Sequence, residues 1–285
     1  MKSQVLILAV LIFALLGCKK DIVSPTEPQC VLVESESLNF YAHYKTSFYY
    51  DNNNKLVGRA EYEKQTLPPI LSIYTFDSIV YVSSNNVVVY SYPLTGNVVK
   101  NLFNKDTFPQ HSQVPSKKTE FVLVNDRITA INYFVGATNA YEGRDSLVYE
   151  GDKLVKIHKW GTFYYPNWST PNKGEKIGTL TYDGNNLKSL IYIDKDRIGD
   201  VIGGDTTLYH TYPNFKNPYK TAKYIPDLFI KSISENMTQI LANSYFYQVK
   251  NGDYTGGNTQ YDPASLIYTD NGKGYPKELG LYRCD

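Results

Sequence analysis

One phrase, repeated along the chain, limits what this sequence can fold into. An aromatic ends one strand, a few turn-forming residues follow, and a basic and an aliphatic residue restart the next. Its fullest form is Thr181-Tyr182-Asp183-Gly184-Asn185-Asn186-Leu187-Lys188-Ser189-Leu190. Tyr and β-branched residues suit a pleated, half-buried surface, and Asp-Gly and Asn-Asn tolerate the positive φ of a tight turn, so the phrase predicts a β-hairpin. It recurs at Tyr50-Asp51-Asn52-Asn53-Asn54-Lys55-Leu56 and Tyr149-Glu150-Gly151-Asp152-Lys153-Leu154, and more loosely from Tyr268 to Pro276. The copies have no fixed period, which argues against a solenoid and for an antiparallel meander with variable loops.

The rest of the pattern agrees. Phe48 to Tyr50, Leu71 to Phe76, Ile79 to Val82 and Val87 to Tyr92 are aromatic or β-branched, broken by Asn-Asn, Pro-Pro and Ser-Ser-Asn-Asn. These read as strands. Phe121 to Phe134 forms a further hairpin about Asn125-Asp126, and Leu147 to Trp160 and Leu180 to Ile193 form two more, whereas Leu102 to Lys118, with Pro109 and Pro115, reads as a long loop. Ile233, Met237, Ile240 and Leu241 stand at i, i+4, i+7 and i+8, which predicts one short helix between Ser232 and Asn243. The expected fold is all-β: a large twisted antiparallel meander sheet, free to curl towards an open barrel, with at most one or two short helices. The 27 Tyr among 285 residues fit this, because Tyr can lie along a strand and present its hydroxyl to water.

The N-terminus carries a different signal. Lys2 precedes an unbroken apolar run from Val5 to Leu16, followed by Gly17-Cys18. The run is shorter than the roughly 20 residues of a membrane-spanning helix and ends on a small residue, as a cleaved secretory signal does. Leu15-Leu16-Gly17-Cys18 resembles the lipobox of bacterial lipoproteins. That resemblance implies cleavage before Cys18, lipidation of Cys18 and stable anchoring by several acyl chains. Lys19 and Lys20 follow in place of the Asp that marks inner-membrane retention in enteric bacteria, which favours the outer membrane, and Lys19-Lys20-Asp21 resembles the start of many Bacteroidota lipoproteins, some of them surface-exposed. Asp21 to Gln29 is rich in Pro and polar residues. The expected layout is a signal peptide over 1–17, a flexible tether over 18–30 and a single all-β domain over 31–285.

Two further resemblances concern the folded part. The hairpin phrase is similar to the Tyr-Asp repeats of Rhs-type bacterial proteins. Asn217-Pro218-Tyr219, Ser234-Glu235-Asn236-Met237, Tyr245-Phe246-Tyr247 and Gly274-Tyr275-Pro276-Lys277 resemble the C-terminal half of an uncharacterised family of Bacteroidota outer-membrane lipoproteins, over roughly residues 205–285. This implies a twisted, largely antiparallel sheet and brings no chemistry with it. Asp77-Ser78-Ile79, Asp145-Ser146-Leu147 and Asp205-Thr206-Thr207 look like the O-glycosylation acceptor pattern of Bacteroidota.

Removing Lys2 with the signal equalises the 29 Lys and Arg with the 28 Asp and Glu, so no basic surplus supports nucleic-acid binding. Gly-x-Ser-x-Gly, His-Glu-x-x-His, a phosphate-cradling Gly-rich loop and Cys-x-x-Cys are all missing, and His43, His111, His158 and His210 stand singly. The reading is non-enzymatic, with no cofactor. Asp194, Asp196, Asp200 and Asp205, with Gly199, partly match a calcium loop, but Ile198 holds a ligand position and Lys195 and Arg197 add positive charge, so a solvated hairpin loop is the favoured reading. Trp160, Tyr164, Tyr165 and Trp168, in a stretch broken by Gly161 and Pro166, are candidate loop aromatics for stacking on a sugar ring or a protein partner; the alternative is that they fold back over the sheet. The functions weighed are a lipid-anchored outer-membrane binder of a glycan or protein, a structural envelope module with no small ligand, and, third, a secreted hydrolase. Cys30 and Cys284 flank the folded part of an exported chain, where a disulfide is chemically permitted; two unrelated thiols are the alternative.

Overall fold

The computed structural model of the chain describes residues 30–38, 42–65, 71–94, 114–136, 138–163, 172–248, 254–261 and 267–284. Two units divide the chain, residues 30–283 and residues 1–29 with 284–285; in the second only Cys284 is described.

The strands are β1 (Cys30–Leu38), β2 (Ala42–Tyr50), β3 (Leu56–Gln65), β4 (Leu71–Ser83) and β5 (Asn86–Leu94). They continue with β6 (Lys117–Val124), β7 (Arg127–Val135), β8 (Ala140–Glu150), β9 (Lys153–Phe163) and β10 (Asn172–Asp183). The last are β11 (Asn186–Lys195), β12 (Val201–Lys216), β13 (Asn236–Gln248), β14 (Tyr254–Gln260) and β15 (Gly280–Cys284). Each strand from β1 to β14 pairs antiparallel with the next, and β15 lies beside β1, so β14 and β15 end an unclosed sheet. This is the all-β meander expected from sequence.

The turns carry the chemistry their residues allow. Asn54, Asn125, Asp126, Gly151 and Gly184 all have φ between 51° and 60°. The loose fourth copy departs from the hairpin expectation: it closes on one isolated bridge, Asp270 to Pro276, and the Asp270 carboxylate accepts the backbone N–H groups of Gly272, Lys273 and Gly274. Those donors pull the Asp270 pKa below its ordinary value.

Successive hairpins are joined by their repeated residues. Tyr81 Oη donates to the Leu56 carbonyl (2.9 Å), Tyr149 Oη to Ile128 (2.8 Å) and Tyr182 Oη to Leu154 (2.8 Å). The basic residue just before each acceptor covers the donor's ring: Lys55 over Tyr81, Arg127 over Tyr149 and Lys153 over Tyr182. Tyr50 does the same with Leu32, under Arg283. The basic-aliphatic pair thus serves the tyrosine of a neighbouring hairpin, through a cation over its ring and a carbonyl for its hydroxyl. Leu32, Leu56, Ile128 and Leu154 are themselves buried.

Between β12 and β13 a cap segment packs onto this core. It holds a short 3-10 turn at Lys220–Ala222 and one helical turn, α1 (Phe229–Ser232). Ile225 is fully buried, and Tyr224 stands edge-on to both Tyr81 and Phe121 at 5.6 Å. Buried Arg59 on β3 fixes the cap electrostatically: its Nε donates to Asp77 (2.8 Å) and its Nη1 to both carboxylate oxygens of cap residue Asp227 (2.8 and 2.6 Å). Ser91 donates to the other Asp77 oxygen at 2.6 Å. Asn217 donates to the carbonyls of Lys231 and Ser234, and Ser234 Oγ accepts the Leu187 N–H, so these motif residues serve to hold the cap to the β10–β11 hairpin.

Three local expectations are corrected. The predicted helix from Ser232 to Asn243 is a single turn ending at Ser232, followed by β13 from Asn236. In the register, Leu208 faces Ala242 and Tyr209 faces Ile240, leaving Leu241 as a bulge; this extra residue brings Ile240 and Leu241 together and mimics helical spacing. Lys117 and Lys118 belong to β6 rather than to the long loop, with the Lys118 ammonium 2.6 Å from Glu120. Cys30, placed in the tether, is buried and opens β1.

Candidate functional site

Trp160 lies on β9 and not on a loop, facing Arg144 of β8 and Glu175 of β10 across the sheet. It keeps 52% of its surface exposed, so the indole neither folds back nor joins the core. Beside it runs a groove of about 580 Å3, lined by Tyr141, Glu142, Glu175 and the turn 196–199. Its backbone wall is made by Gly143, Gly161 and Gly174, directly opposite one another on three adjacent strands. A side chain is excluded at its two outer positions. A Cβ on Gly143 would stand 2.4 Å from the Trp160 carbonyl oxygen, and one on Gly174 2.2 Å from that of Lys195.

The rim combines aromatic surface with acceptors. Tyr141 is 61% exposed and braced edge-on by Phe134, over which Lys118 sits at 4.7 Å. Glu175 lies 3.0 Å from His158 Nδ1, which gives that histidine a partner on its own sheet face. Glu142 and Arg197 are exposed. Chemically, the groove offers apolar ring faces, carboxylate acceptors and a guanidinium donor.

Three of the four aspartates of the loop candidate serve other partners, and the fourth, exposed Asp200, contributes its backbone N–H to the turn. Lys176 Nζ stands 2.6 Å from Asp205 Oδ2 and 3.3 Å from Asp194 Oδ1, while Asp196 accepts the N–H groups of Ile198 and Asp200 within its own turn. Among the described residues no three His, Cys, Asp or Glu are grouped to hold a metal ion. Tyr164, Tyr165, Trp168, Cys18 and His111 lie outside the described residues. Cys30 and Cys284 are each disulfide-bonded.

No protein-family model matches the chain, and no curated protein does. Among solved structures it is similar to a porin-like protein from Bacteroides vulgatus ATCC 8482, with 12% identity, TM-score 0.45 and coverage of 90% of this chain and 98% of the other. A porin-like protein from Bacteroides uniformis ATCC 8492 matches with 8% identity, TM-score 0.41 and coverage of 80% and 94% respectively.

The sequence reading missed how much tyrosine is consumed internally. Tyr192 and Tyr224 are buried, and Tyr133 donates to Asp145 at 2.9 Å beside Lys159, also 2.9 Å from that carboxylate. It also missed a charged row across one sheet face, Asp145, Lys159, Lys176 and Asp194, each opposite the next. The alternation of charge with Leu147, Ile157 and Leu190 along these strands was visible, but only the register brings the charges together.

Proposed function

We propose that this is a non-catalytic outer-membrane lipoprotein, anchored through Cys18, that binds a glycan in the groove beside Trp160. The carrying observation is a half-exposed indole next to a glycine-walled groove whose rim places Glu142, Glu175 and Asp196 within one lining. A sugar needs both an aromatic surface for its C–H face and acceptors for its hydroxyls. The anchor rests on Leu15-Leu16-Gly17-Cys18 following the apolar run.

The structural-module reading uses the Tyr-rich sheet as a contact surface. It is weakened by the engagement of Tyr50, Tyr81, Tyr149 and Tyr182 in bonds to the protein's own backbone.

Two experiments test the proposal. The Cys18→Ala variant is expected to leave the membrane fraction; pelleting as the wild type does would remove the anchor. On a glycan array the detergent-solubilised full chain is expected to select a defined sugar class, whereas capture of an envelope protein with a blank array would favour a protein partner.

A further inference from the structure

A second site stands on the sheet face opposite the Trp160 side chain. Trp160 alternates with Lys159, and Lys159 shares its face with Lys176, Asp205 and Tyr192. Directly opposite one another across β10 to β14 lie Gly178, Tyr192, Asp205, Tyr245 and Gly257. The two tyrosine rings in this row lean apart. A Cβ on Gly178 would meet Tyr192 ring carbon Cε1 at 2.5 Å, and one on Gly257 would meet the Tyr245 Oη at 2.9 Å and Cε1 at 3.0 Å. Each ring is therefore laid over the glycine on its far side, which leaves Asp205 standing between them.

Asp205 is built for acceptance. Lys176 holds its Oδ2 at 2.6 Å, the side chain remains 35% exposed, and Oδ1 has no partner among the described residues. Tyr245 beside it is 51% exposed and runs parallel to Tyr247, with ring centroids 6.2 Å apart and 6° between the planes. Tyr192, on the other flank, is immobilised under Lys159 and Lys176 at 5.5 and 4.9 Å from its ring centre. The result is a lysine-held carboxylate on β12 next to a flat, open aromatic face on β13.

We propose that Tyr245 and Asp205 form a subsite for a neutral pyranose unit of a glycan. The electron-rich Tyr245 face receives the sugar's C–H face, and the free Asp205 oxygen accepts a hydroxyl. The negative charge of Asp205 selects against uronates and phosphorylated sugars. This inference is independent of the groove beside Trp160, because it uses no residue of that lining.

Calorimetric titration of the full chain in detergent with maltohexaose, cellohexaose and oligogalacturonate tests it. At least one neutral hexasaccharide is expected to bind and oligogalacturonate is not. Tyr245→Ala and Asp205→Asn are each expected to weaken that binding at least tenfold, while Tyr245→Phe, which keeps the ring, stays within about threefold. The proposal is overturned if neither neutral sugar binds the wild type, if oligogalacturonate binds better than both, or if Tyr245→Ala binds as the wild type does. Loss in Trp160→Ala with retention in Tyr245→Ala would assign the sugar to the groove and likewise overturn this subsite.

Discussion

The hydroxyl of Tyr182 donates to the carbonyl oxygen of Leu154 at 2.8 Å, while Lys153, one residue before that acceptor, lies over the Tyr182 ring. The same arrangement joins Tyr149 to Ile128 and Arg127, and Tyr81 to Leu56 and Lys55. In two copies of the phrase what looks like a local turn signal is thus a tie between hairpins, and it accounts for the basic-aliphatic pairs Lys55-Leu56 and Lys153-Leu154.

Tyr182→Phe keeps the ring and removes the bond. It is expected to cost about 1 kcal/mol, the net worth of one such hydrogen bond, and the Tyr149→Phe and Tyr182→Phe double variant about twice that. Urea unfolding monitored by circular dichroism checks this; an unchanged midpoint in the double variant would show that the bonds contribute nothing.

Alkaline pH gives a second test. Burial raises the pKa of Tyr50, Tyr149 and Tyr182 from 10.0 to about 12, with Thr221 and Arg283 opposing it at Tyr50, Arg127 opposing it at Tyr149 and Tyr149 adding to it at Tyr182. Above pH 10 the unfolded chain loses these phenolic protons while the folded chain keeps them. The folded state then binds more protons, so stability is fully present below about pH 10 and falls as pH rises towards 12. Denaturant midpoints across this range are expected to drop, and an unchanged midpoint between about pH 10 and 12 would show that the buried phenols contribute nothing.

The cap depends on Arg59. Arg59→Met keeps the apolar stem, unties Asp227 of the cap and leaves Asp77 buried without its cation, and is expected to destabilise the fold by about 3 kcal/mol, since breaking a buried ion pair leaves an uncompensated charge. Hydrogen exchange in residues 217–235 should quicken more than in β10 and β11. Equal quickening everywhere would mean that Arg59 does not hold the cap specifically.

The sequence made the fold class and most turns legible, because Tyr-Asp-Gly-Asn and Asn-Asp state both a strand end and a backbone conformation locally. It misread β13, where the bulge at Leu241 placed apolar residues at helical spacing. It grouped Trp160, which ends the predicted Leu147 to Trp160 hairpin, with loop aromatics because Gly161 looked like a breaker; Gly161 is instead a strand residue of β9 facing Gly143 and Gly174. Asp205, weighed as a cation ligand and read in preference as part of a solvated hairpin loop, is a strand residue of β12 beside Lys176, a relation between residues 29 apart that only strand register creates.

Cys30 and Cys284 are both disulfide-bonded in a chain of three cysteines. We expect them to pair with each other, and non-reducing peptide mapping to recover one linked peptide containing both. Chain entropy assigns a loop of this length on the order of 4 to 5 kcal/mol, so reduction should lower the denaturation midpoint clearly. Two free, alkylatable thiols in the purified protein would remove the staple.

Ligand capture beside Trp160 is tested most directly by titrating an array-selected glycan into wild-type protein and Trp160→Ala, with thermal melting of both measured in parallel. The indole is half exposed and outside the core, so the melting curves should coincide within experimental scatter while affinity falls at least tenfold. Equal affinity in the two proteins, or a loss of binding that only follows a loss of folded protein, would contradict the groove as the binding site.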